Sequence, residues 1–133
     1  MTKNSVLAIC ASTVWISASE FFRNELLLKN YWTDHYDSLG LVFPSKPING
    51  LMWGLWSLLL AILIFALSRK LTFREAVVIV WFFAFVLMWI VVGNLSVLPV
   101  SILLFAIPMS ILEVYVASWF TFRIKGLDKP ISS

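Results

Sequence analysis

At 133 residues the chain is one domain's worth, and its 61% hydrophobic and 13% charged content is far from the soluble average of roughly half apolar and a quarter charged. Seven Trp and eleven Phe suit a small protein with much of its surface against lipid and headgroups, so the chain belongs in a bilayer. The net charge of +3 is too small and too dispersed for a nucleic-acid partner. The single Cys10 excludes an internal disulfide, a CxxC redox pair and a cysteine metal cluster, and the single His35 excludes a histidine-rich site within one chain.

The apolar runs predict an all-α, four-helix membrane bundle forming a single domain, with spans at about 5–22, 49–68, 73–93 and 96–122 and an external loop at about 23–48. The start of the first span, with Lys3 ahead of a short apolar run and Ser17-Ala18-Ser19 after it, has the pattern of a signal peptide; we read it as a retained membrane helix. Thr13, Ser17, Glu20 and Asn24 fall at i, i+4, i+7 and i+11, a polar stripe on one helical face. Arg23 follows Glu20 by three residues and can compensate it, and Glu25 with Lys29 is an i, i+4 pair, so the helix is expected to continue towards Trp32.

The polar connection that follows is punctuated by Gly40, Pro44 and Pro47, and its aromatic residues place it on the headgroup layer. Asp34, His35 and Asp37 read as a solvated turn, not as a metal site. In the second span Asn49 is the expected N-cap. Gly50, Gly54, Ser57, Ala61 and Ser68 form a small stripe for a close helix contact, opposite Trp53, Leu60, Leu63 and Leu67.

Thr72 and Glu75 have the spacing of a capping box that opens the third span. That span carries Trp81, Phe82, Phe83, Phe85 and Trp89 without a small face, and is expected to contact much lipid. Gly93-Asn94 ends it, and Pro99 sits near the start of the fourth span. There Ala106, Ser110, Glu113, Ala117 and Thr121 share one face. Pro108 has no amide hydrogen, so a kink is expected with the Leu104 carbonyl left over. Glu113 is expensive in hydrocarbon, must look inward, and is a functional-site hypothesis by default.

Lys3, Arg69, Lys70, Arg74, Arg123, Lys125 and Lys129 lie on the side of the termini, against Arg23, Lys29 and Lys46 in the long loop. This bias predicts cytoplasmic termini in a cell membrane. Equally centred spans would separate Glu20 and Glu113 by roughly 15 Å in depth at 1.5 Å per residue, too far for a direct pair. With no cation in its own helix before Arg123, Glu113 is expected to be neutral, hydrogen-bonded to a residue such as Thr13 or Ser57, or exposed to a wet cavity.

The ligand- or proton-binding candidates are therefore Glu113, Glu20, Ser110, Thr13 and Ser17. There is no Ser/His/Asp set with a supporting motif, no glycine-rich phosphate loop and no zinc spacing, so neither an enzyme nor a cofactor or metal is expected. Length, four spans and a first-helix glutamate give the chain an outline that resembles the small multidrug resistance exporters. Their glutamate lies deeper and no further motif of theirs is present, so its role is not carried onto Glu20. The function expected is a proton- or cation-coupled small-molecule transporter or channel-like protein using a buried glutamate; the alternative is a non-catalytic structural or accessory membrane protein. The expected partners are the lipid bilayer and a second copy or another membrane protein.

Overall fold

The computed structural model describes residues 1–126; Lys129, counted in the charge bias, lies outside the described residues. Helix α1 (Lys3–Phe21) opens on Thr2, whose hydroxyl accepts the Ser5 amide at 3.1 Å. It runs on into a π-helical segment, Phe22–Leu27, and a short helix α2 (Lys29–Ser38) follows. Gly40, with φ of 69°, closes α2 in the left-handed conformation that a side chain resists. Helix α3 (Pro47–Leu67) returns. The third rod is α4 (Phe73–Trp81), a second π-helical segment (Phe82–Val86) and α5 (Leu87–Asn94). A 3₁₀ turn, Val100–Ile102, leads into α6 (Leu103–Gly126).

The stretches Lys3–Leu27, Pro47–Leu67, Phe73–Asn94 and Val100–Gly126 are each long and apolar enough to cross a membrane. No strand occurs among the described residues. Helix α1 packs on α6 and α3, and α4 packs on α6. Their shared interior holds Ile16, Ala61, Ile64, Val80, Phe85 and Val114. It also holds Ser12, Ser57, Ser110, Glu113 and Thr121, while Val14, Leu51, Phe83 and Leu104 point outward. A water-soluble protein sorts these residue types the other way.

In helices that cross a membrane, large side chains gain nothing by leaving lipid, and close backbone approach and hydrogen bonds between helices do the packing. Ser12 shows how: its hydroxyl donates to the Ala117 carbonyl at 2.9 Å and lies 2.9 Å from the Thr121 hydroxyl. The expected face of α6 is the one buried, with Ala106, Ser110, Glu113, Ala117 and Thr121 all inside. The Thr72–Glu75 capping box also forms as expected.

Several expectations are corrected. Helical structure continues past Trp32, as expected, and reaches further, to Ser38, inside the stretch expected as an external loop; Glu25 and Lys29 pair at 2.9 Å, and His35 Nε2 lies 2.8 Å from the Ser96 carbonyl oxygen. Asn49 is not the N-cap of α3: Lys46 is, Pro47 starts the helix, and the Asn49 side chain accepts the Lys46 amide at 3.1 Å. Pro108, where a kink is expected, lies inside α6 in its second turn, and the helix continues through it. The third rod is exposed over much of its length, as its lack of a small face suggests, with Phe82 and Phe83 outside and Phe85 fully buried.

The small stripe of α3 divides. Ser57 and Ala61 are buried contacts, but a Cβ placed on Gly50 or Gly54 would meet nothing within 4 Å, and Leu60, assigned to the opposite side, is buried. The packing contacts of α3 therefore fall on its later turns. We expect Gly54→Ala to leave the melting temperature in detergent within the scatter of neutral surface changes, about 0.5 kcal/mol. Ala117→Leu, pressed against Ser12, should lower stability by about 1–3 kcal/mol through overpacking.

Candidate functional site

The site lies where α1 and α6 cross at mid-length. The central residues of Lys3–Leu27 and Val100–Gly126 are Trp15 and Glu113, and they meet: Trp15 Nε1 donates to the Glu113 carbonyl at 3.0 Å. One and two turns further along α1 stand Ser19 and Arg23. Ser19 Oγ donates to Glu113 Oε2 at 2.8 Å, and Arg23 Nη1 donates to the same oxygen at 3.0 Å.

The other arm of the guanidinium, Nη2, donates to Glu20 Oε1. Asn24 Nδ2 donates to Glu20 Oε2 at 2.8 Å, and Trp32 Nε1 of α2 donates to Asn24 Oδ1 at 3.1 Å. One hydrogen-bonded chain therefore runs from α2 through Asn24, Glu20 and Arg23 to Glu113.

The roughly 15 Å separation expected between the two carboxylates is thus overturned: both bind one guanidinium. The error lay in the assumed span centres. Helix α1 extends to Leu27 through its π-helical segment, while α6 runs on to Gly126, which puts Glu113 level with Trp15 and within reach of the Ser19 and Arg23 side chains. The hydrogen-bond partners expected for Glu113 are also replaced. Thr13 is half-buried and donates to its own helix at Ile9, 2.8 Å away, and Ser57 donates to Trp53 at 2.9 Å.

Burial sets the electrostatics. Glu20 and Arg23 are each 4% exposed and Glu113 is 0% exposed. Charges so far from water must be paired and hydrogen-bonded, and Arg is suited to this because its planar fork can serve two carboxylates at once. The face of Phe85 lies 5.3 Å from the guanidinium carbon, a cation–π contact that covers the remaining side.

Arg23 and Phe85 each sit in a π-helical segment. Such segments are rare and recur at functional sites, because the extra residue re-aims a side chain within a continuing helix. The cluster holds two carboxylates and one guanidinium, and Glu113 Oε1 receives no hydrogen bond from the described residues. One proton, or one cationic group, would complete it.

Glu20 and Arg23 form the floor of a cavity of roughly 790 Å³ at the end of the helices where α2 lies. Gly50 and Gly54 of α3 and Met88 and Trp89 of α5 line its sides, with Trp32 and Tyr36 of α2 above. Its size falls in the usual range for small-molecule sites, as does its combination of apolar walls with a few polar groups.

The remaining candidates fall as follows. Ser17 is half-buried and lines the cavity. Ser110 is fully buried but stands apart from the carboxylates, accepting from Trp81 Nε1 at 2.9 Å and donating to the Ile107 carbonyl at 2.9 Å. The polar stripe assigned to α1 is displaced by one residue. Ser12, Ile16, Ser19 and Arg23 have the same i, i+4, i+7, i+11 spacing as Thr13, Ser17, Glu20 and Asn24, and it is the earlier set that meets α6. That alternative spacing was the signal for Ser19 and Arg23; Phe85 and Trp32 had none.

No family model, curated protein or solved structure matches the chain. The chemistry therefore rests on the site's own geometry. Removing the guanidinium would leave two buried carboxylates facing each other. Arg23→Met should cost about 3–5 kcal/mol of stability, and adding Glu113→Gln to it should recover a substantial part, read as melting temperatures of the two single variants and the double variant.

Proposed function

We propose that this is a membrane-spanning four-helix bundle that binds a small molecule in the cavity at the α2 end and exchanges a proton for a cationic group at Glu20, Arg23 and Glu113, as a proton-coupled transporter does. The observation that carries this reading is the unequal charge count of a buried cluster at the floor of a cavity. A buried ion pair is seldom more stable than well-packed apolar side chains, so cohesion alone gives little reason for the arrangement. An exchange site does need such a group: dry enough to hold its charge count to one proton, and connected to a space where a ligand can arrive.

The linkage has a definite sign. If the cationic group and the proton compete for the same carboxylate, raising the pH removes the competitor and tightens ligand binding. Protein in liposomes, given a pH gradient and a panel of labelled organic ammonium compounds, is expected to show gradient-driven flux of at least one of them. Glu20→Gln and Glu113→Gln should abolish that flux while the protein still folds. Absence of flux for every compound, with a lowered melting temperature in both variants, would instead favour the accessory reading, in which the cluster clamps α1 to α6 in register.

The proposed topology follows the basic residues, with Arg69, Lys70 and Arg74 at the end that carries the termini and the α2 end outside. With Cys10 changed to Ala, an impermeant thiol reagent applied outside cells should label Ser45→Cys and spare Ser68→Cys. The opposite pattern would invert the orientation.

A further inference from the structure

Five charged side chains line the cavity: Glu20, Arg23, Glu25, Lys29 and Lys46. Lys29 Nζ holds Glu25 Oε2 at 2.9 Å, so that pair cancels. Arg23 is shared by Glu20 and Glu113, which leaves one carboxylate in excess at the floor. Lys46 makes no ion pair with any described residue and is exposed at the start of α3. When the shared proton has left the cluster, the cavity is polarised, with one excess negative charge at the buried carboxylates and one positive charge at exposed Lys46.

Gly54, which lines the cavity together with Glu20, lies eight residues beyond Lys46 on α3, roughly 12 Å along the axis. Between them stand Trp32, Tyr36, Trp53 and Trp89, faces suited to an ammonium group. Leu98, Ile102 and Ala106 offer apolar surface on the α6 side.

We propose that the ligand is a zwitterion with separated charges, an aminoalkyl phosphate ester, whose ammonium enters to Glu20 and whose phosphate meets Lys46. This rests on the reading of the cavity as a ligand site. A simple cation satisfies the floor but leaves Lys46 without a partner, and a simple anion is repelled by the excess carboxylate. An α-amino acid carries its charges one carbon apart, whereas a two-carbon spacer and a phosphate carry the negative charge further towards Lys46. The same headgroup chemistry occurs in a free ester and in an aminophospholipid.

The test uses the full chain in nanodiscs of phosphatidylglycerol, with quenching of the cavity tryptophans as the readout. Glycerophosphoethanolamine, a phosphodiester with one negative and one positive charge, should quench saturably, at a concentration at least tenfold lower than ethanolamine, inorganic phosphate or glycine. If it does not, but nanodiscs doped with phosphatidylethanolamine quench where phosphatidylcholine does not, the ligand is the lipid form of the same headgroup.

Lys46→Gln retains the backbone that starts α3 and removes only an exposed charge, so it should fold. It should weaken whichever form binds at least tenfold and abolish the preference over ethanolamine. Glu20→Gln should weaken the ester and ethanolamine alike. Equal affinity for ethanolamine and glycerophosphoethanolamine in the unmodified protein would overturn the zwitterion while leaving proton-linked cation binding intact. So would unchanged affinity in Lys46→Gln. No quenching by ester, lipid or ethanolamine would overturn both.

Discussion

A single guanidinium shared between two carboxylates is the contact on which the rest of this structure depends. Glu20 and Arg23 come from the first helix and Glu113 from the last, and none of the three can face lipid or stand alone inside. That requirement sets the register of α1 against α6, because sliding either helix by one turn would strand a charge. The small residues around it follow from the same constraint. Ser12 and Ala117 must be small for the backbones to approach closely enough for Arg23 to span the gap, and the Ser12–Ala117 hydrogen bond measures how closely they do.

The same register shapes the cavity. The packing of α3 is concentrated on its later turns, at Ser57, Leu60, Ala61 and Ile64, while Gly50 and Gly54 face open space. The first turns of α3 then leave room above Glu20 and Arg23, and α2 closes that room from above. Trp32 of α2 is bonded to Asn24, and Asn24 to Glu20, so the cover and the floor belong to one hydrogen-bonded network. The aromatic cluster of Trp32, Tyr36 and Phe43 stiffens the cover. A ligand that moved α2 would necessarily strain or release the bonds that hold Glu20.

Two π-helical segments sit on either side of the guanidinium, one carrying Arg23 and the other Phe85. Each lets a helix keep its axis while its later residues turn; Arg23 itself keeps the helical spacing of Ser12, Ile16 and Ser19, and points inward while Phe21 and Phe22 are exposed. Pro108, the feature most visible as a break in the chain, lies in the second turn of α6, before the part of the helix that carries Glu113.

What the sequence by itself determined is whatever depends on one helix at a time. Composition and run length gave four apolar helices, because the number of residues needed to cross hydrocarbon is a property of each segment alone. Spacing gave the inward face of α6, the Thr72–Glu75 cap and the Glu25–Lys29 pair, all local to one helix. The tertiary structure alone decided how helices stand against one another. Two polar stripes one residue apart compete on α1, and only contact with α6 selects Ser12, Ser19 and Arg23 over Thr13 and Ser17. The depth of Glu113 relative to Glu20 depends on where each helix is centred, which π-helical continuation and terminal turns shift without any mark in the hydrophobic pattern. Pairing between distant segments is a property of two surfaces at once, and for that reason Arg23 could be seen beside Glu20 but not beside Glu113.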